Sequence, residues 1–158
     1  MTSKLFCVAV VCALLATARA ASAEDLKAGD IVISHPWSRA TPAGAQVGAG
    51  YLVIENRGSS PDRFLGGSVE VATGFEIHDV VLEGGVMKMR QLTGIELPPG
   101  ISVEAKPGGR HIMFVGLRHP LAAGEKVRGA LQFEHAGKIE VEFEVIAMGA
   151  PPPGGRGD

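Results

Sequence analysis

The sequence predicts an all-β domain, a β-sandwich or barrel of about seven to nine strands with Greek-key connections. Short runs rich in Val, Ile and Phe recur along the chain, and segments rich in Gly, Pro, Asn and Asp separate them. In the last run, residues 138–146, Ile139, Val141, Phe143 and Val145 alternate with charged residues. That period of two indicates a strand with one buried and one solvated face. No stretch has a persuasive helical pattern, and we see no internal repeat or second domain.

The predicted strands follow one another at short intervals, with turn-forming residues between them. Residues 57–62 (RGSSPD), 72–74 (ATG) and 135–137 (HAG) supply three of the turns, and the last of these has the form of a tight hairpin connection. The first strand leads into Pro36. In chain order, the predicted strands are residues 30–35, 50–56, 63–71, 75–82, 86–92, 101–105, 111–117, 126–134 and 138–146.

The first 23 residues predict a cleaved secretory signal peptide. Lys4 supplies a positive charge, residues 5–16 (LFCVAVVCALLA) form an unbroken apolar run, and the small residues that follow offer cleavage sites after Ala20 or Ala23. The apolar run is shorter than the roughly 20 residues that a membrane-spanning helix needs. We therefore expect an exported, periplasmic protein without a membrane anchor.

Both cysteines, Cys7 and Cys12, lie in the predicted signal peptide, and neither is followed by the small-residue context expected of a lipid-anchored cysteine. Cleavage after Ala23 leaves 135 residues without cysteine, so the exported protein must be stabilised by its hydrophobic core. Cleavage also removes Lys4 and Arg19, so that 13 basic residues face 17 acidic ones. The resulting formal charge of −4 provides no basic patch for binding nucleic acid.

The remaining chain predicts one domain over residues 24–148, followed by a tail. Residues 149–158 (GAPPPGGRGD) have the Pro- and Gly-rich composition of a disordered end. The Arg-Gly-Asp tripeptide in this tail is explained by that composition.

Histidine and methionine occur in pairs in the predicted strands. His111 and Met113 project from one face of their strand, because residues i and i+2 share a side, and Ile112 projects from the other, which is the natural core side. Met87 and Met89 form a second pair. Methionine also fills gaps in hydrophobic cores. From spacing alone, core packing and metal binding therefore remain comparable alternatives for these methionines.

The donor chemistry of the metal-binding alternative favours copper. Thioether sulfur is soft and neutral, and it binds Cu(I) well but binds zinc, calcium or magnesium poorly. Imidazole binds copper in either oxidation state. Thioethers and imidazoles also stay available in an oxidising compartment, where cysteine thiols form disulfides. A blue-copper electron-transfer site requires a thiolate ligand, which the exported protein lacks, so a carrier or store of copper remains.

The spacing of four residues resembles the signature of the periplasmic copper chaperones of the PCu(A)C type, H-x10-M-x21-H-x-M. His78 is followed after ten residues by Met89, Met89 is followed after twenty-one residues by His111, and Met113 comes one residue later. The segments EGGVMKMR, HIMFVGL and PWSRATPAG are also similar to sequences of this family. The resemblance covers roughly residues 28–147.

The resemblance implies a cupredoxin-like β-barrel or sandwich that binds one Cu(I) through His78, Met89, His111 and Met113, with Met87 as a packing or auxiliary residue. We expect the chaperone to be a monomer and to have no enzymatic activity. Such a chaperone delivers copper for assembly of the CuA centre of cytochrome oxidase, and its partner is a copper-accepting protein, either a Sco-type protein or the oxidase CuA subunit.

This chain departs from the family pattern in two places. Asp79 stands where many members have a methionine after the first histidine, and the tail lacks the His- and Met-rich extension that some members use for a Cu(II) site. We therefore expect a single Cu(I) site and none in the tail.

Three alternative functions remain at this stage. The first is an exported β-sandwich interaction module that binds no metal. The second is a general periplasmic protein for copper storage or homeostasis. The third is a protein that binds Cu(II) or Zn(II) through histidines alone.

Overall fold

Eleven strands and no helix make up the part of the chain that the computed structural model describes, residues 25–153. The predicted signal peptide, residues 1–23, and residues 154–158 of the predicted tail lie outside this part. The strands are β1 (Leu26–Ala28), β2 (Ile31–Arg39), β3 (Val47–Asn56), β4 (Asp62–Val69), β5 (Ala72–Glu83), β6 (Val86–Leu92), β7 (Ile95–Leu97), β8 (Ser102–Ala105), β9 (His111–Leu117), β10 (Lys126–Phe133) and β11 (Lys138–Ile146).

Each of the nine predicted runs forms a strand, and two three-residue strands, β1 and β7, come in addition. Strand β2 continues beyond its predicted end, through Pro36 to Arg39. The register of β2 against β3 shifts between Ser34 and Trp37, and His35 in this bulge has a φ of 50°. A bulge is one of the few places where a strand tolerates proline, because the missing N–H is not needed there.

The strands form one mixed sheet in the order β6-β5-β9-β3-β2-β11-β10-β4-β7, with β1 beside β2 and β8 beside β3. Strands β2 and β11 are parallel, whereas the other pairs are antiparallel. Neighbours such as β5–β9 and β3–β9 are distant in sequence, so the chain crosses over between them. The sheet folds around its core as an all-β, sandwich-like structure, which confirms the predicted fold class.

The core consists of the inward faces of these strands. Its largest fully buried side chains include Phe64, Phe114, Phe133 and Phe143, and the rings of Phe114 and Phe143 lie 5.3 Å apart, edge to face. Burying one such side chain stabilises a fold by about 1.5–3 kcal/mol. Along β11, buried and exposed residues alternate as the sequence pattern predicts. Among residues 25–153, no helix is long and apolar enough to cross a membrane.

Candidate metal centre

The pairing of β5 with β9 places His78 directly opposite His111. The preceding pair, Ile77 and Ile112, points into the core, and each of these isoleucines is at most 3% exposed. Because neighbouring residues on a strand point to opposite faces, both histidines lie on the outer face of the sheet. Two imidazoles that are 33 positions apart in the chain thus become side-by-side neighbours.

The two imidazole rings face each other across the strand pair. Their centroids are 5.8 Å apart, and the ring planes are inclined by 35°. A metal–imidazole bond of about 2.0 Å, added to about 1.2 Å from nitrogen to ring centre, puts an ion about 3.2 Å from each centroid. Two centroids at the observed separation can therefore share one ion, with a centroid–ion–centroid angle of roughly 130°. The separation of the two rings is therefore compatible with a shared metal ion.

Each ring has one nitrogen in a hydrogen bond to an oxygen. Nε2 of His78 lies 2.7 Å from Oε2 of Glu76, and Nδ1 of His111 lies 2.8 Å from the carbonyl oxygen of Gly109. Nδ1 of His78 is buried and has no hydrogen-bond partner among the described residues. The His78 side chain is 12% exposed, and that of Glu76 is 33% exposed, so the site lies just beneath the surface.

Met113 lies on the same outer face, beside the histidine pair. It is two residues beyond His111 on β9, directly opposite Glu76 on β5, and it is half-buried. Met113 is therefore the diagonal neighbour of His78, at a separation that its long side chain can span. The structure brings three of the four sequence-predicted ligands into one patch on two adjacent strands.

Met89 also faces outward, but on the opposite side of the histidine pair. It lies on β6 opposite Val80, and its side chain is 54% exposed. Met87 lies one step further along, opposite Leu82, and is 62% exposed. Both methionines are thus outside the core.

The segment that carries Met89 is a two-stranded arm. Strand β5 pairs with β9 only as far as His78, whereas its pairing with β6 continues to Glu83. In a flat sheet with strand spacing of about 4.8 Å and a rise of about 3.3 Å per residue, the Cα atoms of Met89 and Met113 would be roughly 16 Å apart. Both thioethers can reach one ion only if the arm curves over the histidine pair, as twisted two-stranded ribbons can.

Asp79, the departure from the family pattern, points away from the histidines. Its carboxylate Oδ2 accepts a hydrogen bond of 3.2 Å from Nη2 of Arg110, the residue before His111. The aspartate therefore links the base of the arm to the start of β9. Lys88 and Arg90 both form ion pairs with Glu83, on the face of the arm opposite to the methionines.

The other histidines lie elsewhere. His35 occupies the bulge of β2, near the mutually tilted rings of Trp37 and Tyr51, whose centroids are 4.3 Å apart. His119 and His135 are exposed in loops. Among residues 25–153, no three His, Cys, Asp or Glu side chains form a group that could hold a metal ion.

Glu76 was not singled out from the sequence, although a signal was present. It is two residues before His78, and on a strand that spacing places both side chains on one face.

Comparison with known proteins gives a family for most of the β-domain. Residues 31–145 match the family model described as "Putative lipoprotein LpqE-like". The chain belongs to the LpqE-like family. A putative lipoprotein of Leifsonia xyli subsp. xyli is 30% identical over 120 residues, which cover 75% of this chain and 71% of the relative.

Solved structures similar to this LpqE-like chain include PCuAC domains. The copper-bound PCuAC domain from PmoF2 is 27% identical, with a TM-score of 0.69 and coverage of 79% of this chain and 99% of the domain. The apo PCuAC domain from PmoF1 is 25% identical, with a TM-score of 0.68 and coverage of 79% and 100%. The solution structure of CuI-DR1885 from Deinococcus radiodurans, 23% identical with a TM-score of 0.59 and coverage of 80% and 83%, shares the fold.

Proposed function

We propose that this LpqE-like protein is a copper chaperone that binds one Cu(I) and passes it to an accepting protein. The observation that carries the proposal is the pair of imidazoles, His78 and His111, held 5.8 Å apart on the outer face of the sheet. The similarity in fold to a copper-bound PCuAC domain supports it. The H-x10-M-x21-H-x-M spacing supports the same ligand set independently of the fold.

In this proposal, His78 and His111 provide the two nitrogen ligands, and Met113 and Met89 provide the two thioethers. The four donors are neutral and suit a monovalent soft ion. Met113 is in place beside the imidazoles, whereas Met89 reaches the ion when the β5–β6 arm curves inward. A ligand on an exposed arm is also suited to exchange, because one metal–sulfur bond can open without disturbing the core.

We further propose that the protein acts outside the cytoplasm, in the periplasm, with oxidase assembly as its pathway. The signal-like residues 1–23 and the lipoprotein description of the family support export. A thiolate-bearing acceptor, such as a Sco-type protein or the CuA subunit, would take Cu(I) by ligand exchange. No enzymatic turnover is involved, because a ligand exchange breaks and forms only metal–ligand bonds.

Titration with Cu(I) against a competing chelator tests the binding step. The wild-type protein should bind one equivalent. His78→Ala, His111→Ala and Met113→Leu should each weaken binding more than tenfold, which corresponds to a loss of more than about 1.4 kcal/mol. Exposed residues outside the proposed ligand set provide matched controls. His119→Ala and Met148→Leu make the same chemical changes and should leave the affinity unchanged.

The outcomes separate the alternative functions. Loss of binding in the histidine variants only would indicate a site built from imidazoles, and the assignment of methionine ligands would be wrong. If the wild-type protein binds no Cu(I), the whole proposal fails, and an interaction module or a histidine-only Cu(II) or Zn(II) site remains. Transfer of the ion from the loaded protein to an apo protein with a dithiolate site separates delivery from storage, because a storage protein would keep its copper.

A further inference from the structure

The two histidines differ in which ring nitrogen is engaged by an oxygen, Nε2 in His78 and Nδ1 in His111. We propose that Glu76 is a positioning residue of the copper site. It holds His78 in the tautomer that binds copper through Nδ1, while the Gly109 carbonyl holds His111 in the tautomer that binds through Nε2. This inference rests on the proposed function. It adds to that function a positioning residue, Glu76, and the ring nitrogen through which each histidine binds copper.

The short contact between Glu76 and His78 determines the tautomer of His78. An ionised carboxylate can only accept hydrogen bonds, so the 2.7 Å contact requires Nε2 of His78 to carry the proton. The neutral ring then has its lone pair on Nδ1. That nitrogen is buried without a hydrogen-bond partner among the described residues, so no protein group competes for its lone pair.

The contact at His111 determines the opposite tautomer. A backbone carbonyl likewise accepts, so Nδ1 of His111 donates to Gly109 and Nε2 retains the lone pair. A turn holds this carbonyl in place, since Lys106 N–H donates to the Arg110 carbonyl and Gly109 N–H to the Lys106 carbonyl. The turn residue Gly108 has a φ of 78°, which glycine adopts without strain.

The arrangement matches how proteins orient metal-binding imidazoles. A ligating histidine usually donates its second ring nitrogen to a carboxylate or a backbone carbonyl, which fixes the ring and raises the basicity of the ligating nitrogen. Here His78 has a carboxylate as its acceptor, and His111 has a backbone carbonyl. The carboxylate also brings a negative charge next to a site whose four proposed ligands are neutral. Glu76 therefore partly compensates the positive charge of Cu(I), whereas the four neutral ligands leave that charge uncompensated.

Nitrogen-15 NMR of the imidazole rings tests the inference, because Cu(I) is diamagnetic. In mildly alkaline solution, the apo protein should show His78 protonated on Nε2 and His111 on Nδ1. On addition of Cu(I), the resonances of His78 Nδ1 and His111 Nε2 should shift. A shift at His78 Nε2 in place of Nδ1 would overturn the inference while leaving the proposed function intact.

Two substitutions at Glu76 test its role. Glu76→Ala removes the acceptor and should lower the Cu(I) affinity by about 10–100-fold, as loss of such outer partners does. Glu76→Gln keeps an acceptor oxygen and should restore much of that loss, with copper still on Nδ1. Glu140→Ala is the matched control, since this glutamate is a 75%-exposed residue on β11.

The remaining outcomes are decisive as well. Wild-type affinity and unchanged ring resonances in Glu76→Ala would show that the carboxylate has no positioning role. Failure of the wild-type protein to bind Cu(I) would instead refute the proposed function, and this inference with it.

Discussion

Replacement of Asp62 should destabilise the fold measurably, although the residue lies outside the copper site. Asp62 is 7% exposed at the start of β4. Its carboxylate accepts hydrogen bonds from the backbone N–H groups of Arg63 at 2.7 Å, His135 at 3.0 Å and Ala136 at 2.9 Å. The last two belong to the turn between β10 and β11. The Asp62 side chain thus links the β10–β11 hairpin to β4 by hydrogen bonds.

The magnitude follows from the two long-range hydrogen bonds. A hydrogen bond to a charged group contributes about 1.5–3 kcal/mol, but water can replace part of it at this half-exposed turn. We therefore expect Asp62→Ala to lower the free energy of unfolding by about 2–3 kcal/mol near neutral pH. Asp62→Asn keeps one acceptor oxygen and should cost less.

The effect should also depend on pH. Burial by itself raises the pKa of Asp62, but the three backbone hydrogen bonds and the nearby His135 outweigh burial, so the pKa lies below the ordinary value. A lowered pKa in the folded state stabilises the fold above the unfolded-state pKa of about 3.9. This contribution is lost as the pH falls through the folded-state pKa. The difference between wild type and Asp62→Asn should therefore be constant above about pH 5 and narrow in acid.

Denaturant unfolding of both variants at neutral and acid pH measures these quantities. Glu140→Ala, at an exposed position on the neighbouring strand β11, provides the control and should change stability by less than about 0.5 kcal/mol. The reasoning is refuted if Asp62→Ala is as stable as that control. It is also refuted if the deficit of Asp62→Asn stays the same from neutral pH into acid.

Two further predictions concern the arm and the core behind the site. Met87→Leu should change the Cu(I) affinity by less than about tenfold, whereas Met89→Leu should weaken it more. The reason is that Met87 lies one step further from the histidines along β6. Equal losses of affinity in a chelator competition would contradict this argument from spacing. Gly50→Ala should destabilise the protein by about 1–3 kcal/mol, because the new Cβ would lie 2.6 Å from Cζ of Phe114. Gly48→Ala should cost less, since its Cβ meets the flexible end of Leu121 at 3.0 Å, and thermal melts followed by circular dichroism compare the two.

Much of the fold was predictable from local patterns. Each strand predicted from apolar runs and turn residues is present, and the alternation in β11 correctly assigned its buried face. The two additional strands, β1 and β7, are three residues long, and runs of that length carry no periodicity to recognise. The continuation of β2 through Pro36 was also unpredictable, because a proline normally marks the end of a strand and only the bulge accommodates it.

The candidate site was likewise predictable from the sequence only in part. Alternation correctly placed Met113 and His111 opposite Ile112, since a side chain's face depends only on its position in the strand. The ligand set itself came from the spacing of four residues and stays a prediction. Alternation could also have drawn attention to Glu76 beside His78, but nothing local indicates that its carboxylate bonds the ring.

The sequence by itself determined nine of the strands, the buried and exposed faces of β9 and β11, and the order of potential copper ligands, because these depend on neighbours within a few residues. The tertiary structure alone decided that His78 lies opposite His111, that Asp79 turns to Arg110, and that Met89 sits on an arm extending past the end of β9. The physical reason is that strand register is set by pairing and core packing between segments far apart in the chain. A shift of one residue between β5 and β9 would have separated the two imidazoles onto opposite faces of the sheet.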